Sequence, residues 1–167
     1  WQLWRRSAPD GFRFAVKANR FLTHIKRLRD VEEPVGRFLD GARLLGDRLG
    51  PVLYQLPPNF HRTPENERRL AGFLELLPKG MQHAFEFRHA SWFCDDALAL
   101  LRQYAAGFCA FDMVDLECPL AATASFAYLR FHGSEALYAS NYTDEMLTAW
   151  AARLRGLATG LTDVYIY

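Results

Sequence analysis

HAFEFR, residues 83–88, alternates two kinds of side chain with the period of two that a β-strand imposes. Phe85 and Phe87 fall on one face, which suits packing beneath helices, and Ala84, Glu86 and Arg88 fall on the other. A strand buried on both faces normally reads as continuously apolar. Here one face is small at the start of the run and charged at its end, which predicts an enclosed lower part opening into a polar site.

The same split recurs outward from this run. In residues 12–17, Phe12, Phe14 and Val16 oppose Arg13, Ala15 and Lys17. In residues 52–55, Val52 and Tyr54 oppose Leu53 and Gln55. The fourth run is read with Ala110 and Asp112 opposite Cys109 and Phe111, and the fifth sets Tyr128, Arg130 and His132 against Ala127, Leu129 and Phe131. Six strands are expected in all, at residues 12–18, 51–56, 83–87, 108–113, 126–131 and 163–167.

Helical patterns separate most of them. One opens at Pro34 and carries Val35, Phe38, Leu39, Ala42 and Leu45 on one face; proline suits a first-turn position because its missing N–H has no helical partner there. A second opens at Thr63 and Pro64, carries Leu70, Phe73, Leu74 and Leu77, and stops at Pro78 and Gly80. A third opens at Asp95 and Asp96, and a fourth at Thr143, Asp144 and Glu145, where acids complement the helix dipole. Residues 114–125 have no helical period, so that link is expected to be irregular. Strands alternating with helices imply right-handed βαβ units and a mainly parallel sheet. The expected fold is α/β, a TIM (β/α)8-type barrel with about six of its eight strands in this chain; an open doubly wound sheet is the alternative. Residues 1–167 are read as one partial barrel domain.

The segments FRFAVKANRFLTHIKRL, GPVLYQLPPNF, HAFEFRHASWF and YLRFHG, in that order and spacing, resemble the YecE-like family (domain of unknown function 72). The motif FEFRHASW at residues 85–92, then RFHG at residues 130–133, then Tyr138 and Tyr142, carries the likeness, which extends over nearly the whole chain. It implies a TIM barrel truncated at both ends, with two further strands before Trp1 and a last helix after Tyr167. The six strands would then be the third to eighth. The resemblance implies no reaction or cofactor.

Composition bounds the partners. The 20 Lys and Arg nearly cancel the 19 Asp and Glu, so net charge by itself points to neither nucleic acid nor a membrane surface. The cysteines Cys94, Cys109 and Cys118 form no CxxC pair or disulfide framework, which fits a reducing, cytoplasmic setting. No apolar run approaches the roughly 20 residues of a membrane-spanning helix.

In a closed barrel, Lys17, Gln55, Glu86, Arg88, Asp112, Arg130 and His132 would converge at the C-terminal end, where TIM-barrel sites lie. Glu86 and His132 are the expected proton-transfer pair, since burial and neighbouring cations move their pKa values in opposing directions. Lys17, Arg88 and Arg130 would hold an anion. The competing structural reading is that Glu86, Arg88 and Arg130 merely neutralise one another. Gln55, Asp112, His24 and Asn59 would add polar contacts, and Trp92, Tyr138 and Tyr142 aromatic walls, although Trp92 reads equally as a core residue. The stretch from residue 11 to 29 contains six cations and no acid; Lys26, Arg27 and Arg29 read best as a solvated surface.

The leading expectation is a small anionic or phosphorylated ligand, handled by hydrolase, lyase or isomerase chemistry if the protein is an enzyme. A nucleic-acid-binding or metal-dependent phosphodiester-cleaving barrel, and a noncatalytic ligand-binding or scaffold protein, are the alternatives. Metal ligation is weakly supported, because no HxH, HExxH or paired-carboxylate spacing occurs. No GxGxxG or P-loop pattern is present. The sequence does not give the oligomeric state.

Overall fold

The computed structural model describes residues 1–133 and 141–167. Six strands, β1 (Phe14–Lys17), β2 (Leu49–Gln55), β3 (His83–Glu86), β4 (Gly107–Asp112), β5 (Phe126–Phe131) and β6 (Asp163–Ile166), form one sheet in sequential order with every neighbouring pair parallel. Among the described residues five α-helices accompany them: α1 (Gln2–Ser7), α2 (Glu32–Arg43), α3 (Pro64–Leu76), α4 (Asp95–Gln103) and α5 (Asp144–Ala158).

Local chemistry explains the helix starts. Thr63 Oγ1 accepts from Asn66 N at 3.2 Å and Pro64 occupies the first turn of α3. Thr143 Oγ1 accepts from Met146 N at 3.3 Å to begin α5. Each satisfies a backbone donor that the helix itself leaves unpaired. The α2 helix begins at Glu32, two residues before the expected Pro34, because Glu32 and Glu33 supply an acidic first turn and proline is tolerated within it. Residues 114–125 are irregular, as expected. Thr123 fastens their return: its hydroxyl donates to Ala106 O at 2.6 Å and accepts from Phe108 N at 2.7 Å.

The sheet is curled into a half-barrel. A flat parallel sheet would hold its first and sixth strands about 24 Å apart, at about 4.8 Å per step. Instead Ala15 of β1 and Tyr165 of β6 pack on one inner cluster with Leu53, Ala84, Cys109, Phe126 and Tyr128, so all six strands meet in the lumen. Tyr165 also donates to Gln82 Oε1 at 2.8 Å, and the Tyr167 hydroxyl bonds the backbone of Ala15. Gly107 makes this possible, because a Cβ there would stand 2.8 Å from the ring of Phe126. The outer face carries Val52, Tyr54, Phe85, Phe87, Phe108 and Ala110 into a larger core beneath α2, α3 and α4. Each fully buried aliphatic or aromatic side chain contributes on the order of 1.5–3 kcal/mol by leaving water. Among the described residues no helix is long and apolar enough to cross a membrane.

Candidate functional site

The parallel register places inward-facing residues of neighbouring strands side by side. Lys17 aligns with Leu53, Gln55 with Glu86, and Phe111 with Arg130. Lys17, Gln55, Glu86 and Arg130 thereby gather at the C-terminal end, joined by Arg88 just past β3 and His132 just past β5.

Glu86 is the centre of this group. It is fully buried, and its two oxygens divide their work: Oε1 accepts from Arg88, and Oε2 accepts from Arg130 Nη1 at 2.8 Å. Burial alone would raise its pKa. The adjoining His132 and the charges of Arg88 and Arg130 outweigh this and bring it down to about 2. His132 Nε2 lies 3.7 Å from Glu86 Oε1, beyond hydrogen-bond length, and 2.6 Å from Arg88 Nη2. A guanidinium can only donate, so His132 Nε2 accepts and its ring proton sits on Nδ1. Arg88 and Arg130 are therefore the groups at hydrogen-bond length from the carboxylate, with His132 adjoining it. Glu86 is a fixed anion that aims both guanidiniums, and a carboxylate with so low a pKa is a weak base near neutrality.

Arg88 is held on all sides, by Glu86, by His132, by the Met113 sulfur and by the Phe111 ring, whose centroid is 4.7 Å from its guanidinium carbon. Arg130 is freer, with its side chain 21% exposed. Lys17 Nζ donates to Gln55 Oε1 at 2.7 Å. Its pKa is lowered, first by burial and then by Arg130, against an upward pull from Glu86. Among the described residues of this group, one carboxylate stands with three cations, a net positive balance. His24 sits in a π-helical turn at Phe21–Ile25 that follows β1; burial, then Arg20 and Lys17, lower its pKa. Its Nδ1 pairs with Thr23 Oγ1 at 2.8 Å.

Several expected residues lie elsewhere. Asp112 is outside the Glu86 group because the inward phase on β4 belongs to Cys109, whose thiol is 3.7 Å from Glu86 Oε2, and not to Ala110, which packs in the outer core. Asp112 instead bonds the hydroxyl of Tyr142, and its carbonyl accepts from His132 N at 2.9 Å. Tyr142 packs on Phe131 and accepts from Gly133 N at 3.2 Å. Trp92 is a core residue, not a pocket wall. It stacks between Phe60 and Phe87, with ring centroids 5.5 and 4.6 Å away, and donates to Phe60 O at 2.6 Å. Asn59 is exposed in the turn after β2. Tyr138 lies outside the described residues. Arg29 pairs with Asp30 at 3.5 Å, as a solvated loop would.

Met113 and Phe111 were not anticipated. Gln55, Pro58, Arg88, Ala90, Met113 and Leu116 line a groove of about 550 Å³ beside the mouth, mostly apolar with Arg88 at one end. The signal that could have found Phe111 was the β4 phase itself: Cys109 and Phe111 are two apart, and Phe111 stands in register with Arg130.

Comparison with known proteins places this geometry in a family. A family model described as "Protein of unknown function DUF72" matches residues 1–167. The chain is 33% identical over 90 residues to UPF0759 protein YecE of Escherichia coli, from strain K12 and from O157:H7; the aligned stretch is 54% of this chain and 32% of that protein, so it spans well under half of these relatives. A DUF72 family protein of known structure from Thermotoga maritima superposes with a TM-score of 0.88 at 28% identity, covering 99% of this chain and 69% of the other. One from Enterococcus faecalis V583 gives 0.84 at 18% identity over 99% and 70%, which speaks to the fold alone. With the family model matching residues 1–167 of this chain, the chain belongs to the DUF72 family.

Proposed function

We propose that the C-terminal mouth of the half-barrel binds a small anionic ligand, with Arg130 and Lys17 as the contacting cations and Glu86 as the residue that positions Arg130 and Arg88. The observation supporting this is the charge arrangement: among the described residues Arg88 and Arg130 share the one buried carboxylate of Glu86, Lys17 stands beside them on Gln55, and Arg130 and Lys17 remain partly open with donors toward the mouth. The groove lined by Pro58, Ala90, Met113 and Leu116 would take an apolar portion of the same ligand. His132, not Glu86, is the candidate for moving a proton, since its Nε2 is an acceptor and Glu86 is committed to guanidinium.

The test is calorimetric titration with inorganic phosphate at low ionic strength. A charge-assisted hydrogen bond contributes roughly 1.5–3 kcal/mol, so Arg130→Gln should weaken binding roughly ten- to hundredfold. Unchanged affinity in Arg130→Gln, or no binding by the wild type, would remove the reading.

A further inference from the structure

Lys17 differs from the other cations of the mouth. Arg88 and Arg130 are both tied to Glu86, whereas Lys17 forms no ion pair among the described residues and donates to a neutral amide, Gln55 Oε1, at 2.7 Å. A lysine serving only as a positive charge gains most beside a carboxylate. This one ends a strand on the lumen face, in the field of Arg130, Arg88 and Arg20. Burial and those like charges disfavour its ammonium form, although Glu86 partly opposes them. The free amine has a lone pair that the ammonium lacks, and lysines desolvated or set beside other cations are the ones that attack carbonyl carbons.

Building on the anion site above, we propose that Lys17 forms an imine with the carbonyl of a small 2-oxo acid whose carboxylate is held by Arg130. The ligand class follows from the two groups: an amine nucleophile on β1 and an anion-binding guanidinium on β5, both facing one lumen. The Nζ lone pair adds to the carbonyl carbon, forming a C–N bond as the C=O π pair moves to oxygen. Transfer of a proton from nitrogen to that oxygen gives the carbinolamine. The hydroxyl then leaves as water with a proton from solvent, the nitrogen lone pair closes the C=N bond as an iminium, and release of the N–H proton to solvent gives the imine. Nothing is oxidised or reduced, and water is the sole by-product. Gln55 keeps Nζ directed along the lumen, and the neighbouring cations shift its balance toward the free amine.

The chain contains three lysines, Lys17, Lys26 and Lys79, so two internal controls are built in. The intact protein is incubated with pyruvate and sodium cyanoborohydride, whose hydride reduces the iminium carbon to a stable secondary amine, and is then mapped by peptide mass spectrometry. The adduct is expected on Lys17 at doses that leave Lys26 and Lys79 unmodified. It should be lost in Lys17→Arg, diminished in Arg130→Gln, slowed by added phosphate, and slower with acetone, which lacks the carboxylate. Modification of Lys17 no faster than that of Lys26 and Lys79 overturns the proposal, and acetone matching pyruvate overturns the 2-oxo acid assignment. Pyruvate binding that depends on Arg130 without a Lys17 adduct removes the imine and leaves the anion site standing. Failure of both pyruvate and phosphate to bind removes both.

Discussion

Replacing Glu86 by glutamine keeps the shape of the side chain and deletes its charge, leaving Arg88 and Arg130 facing each other across a buried, neutral amide. Two independent routes give the cost. The carboxyl titrates at about 2 in the folded protein against an ordinary 4.5, and that difference is worth about 3 kcal/mol at 1.36 kcal/mol per pH unit. Removing one partner of a buried ion pair costs about 3–5 kcal/mol in general. The partial exposure of Arg130 places this case toward the lower end. Because the folded pKa lies below the unfolded one, the contribution is complete above pH 4.5 and disappears as pH falls through about 2. Urea unfolding of wild type and Glu86→Gln should differ by about 3 kcal/mol at neutral pH, and the gap should narrow steadily below pH 4.5. A gap that is absent at neutral pH, or that stays constant down to pH 2.5, would refute the picture of Glu86 as a fixed anion. Adding Arg130→Met to Glu86→Gln should restore part of the loss, since it removes one of the unopposed charges.

His83 is buried between the Tyr54 hydroxyl at 3.3 Å and Pro78 O at 3.3 Å, and burial lowers its pKa to about 4. Its stabilising contribution is therefore present above pH 6.5 and lost as pH falls toward 4; His83→Gln should flatten the stability profile in that window, and an unchanged slope there would count against the assignment. Gly107→Val should destabilise by about 1–3 kcal/mol through the clash with Phe126, and Phe126→Leu in the same chain should recover part of it, as read from urea midpoints. Trp92→Ala should cost about 3–5 kcal/mol as a core deletion, while Trp92→Phe should leave phosphate affinity at the wild-type value; a large affinity loss in Trp92→Phe would return Trp92 to the binding site.

The period-two alternation around Glu86 was enough to show which face of β3 enters the lumen, because bulky Phe85 and Phe87 can only go under helices while Ala84 leaves room inside. The same logic worked on β1, β2 and β5. It failed on β4, where GFCAFD is apolar throughout until its last residue. With no polar side chain along the run to mark the inner face, Asp112 drew the phase toward itself. The true marker was steric: Gly107 has no Cβ, as the crowded ring of Phe126 requires, and two residues on, in the same phase, Cys109 lies in the inner cluster with Phe126. Such a constraint exists only between strands, so no single stretch of sequence displays it. Trp92 was ambiguous for a related reason. The sequence places it just beyond a strand end, where both a pocket wall and a core residue can sit, and only the rings of Phe60 and Phe87 on either side decide. The division of Glu86 between two arginines was likewise legible only as a list of charges until the register brought β3 and β5 into contact distance through the lumen.

The central claim, that the C-terminal mouth is an anion site, is tested most directly by soaking crystals of the protein in selenate and locating the anion from its anomalous scattering. The account predicts selenate at hydrogen-bonding distance, about 3 Å, from the open edge of Arg130 and from Lys17. Selenate bound instead at the opposite end of the half-barrel, beside Arg13 and Arg43, with none at the mouth, would contradict it.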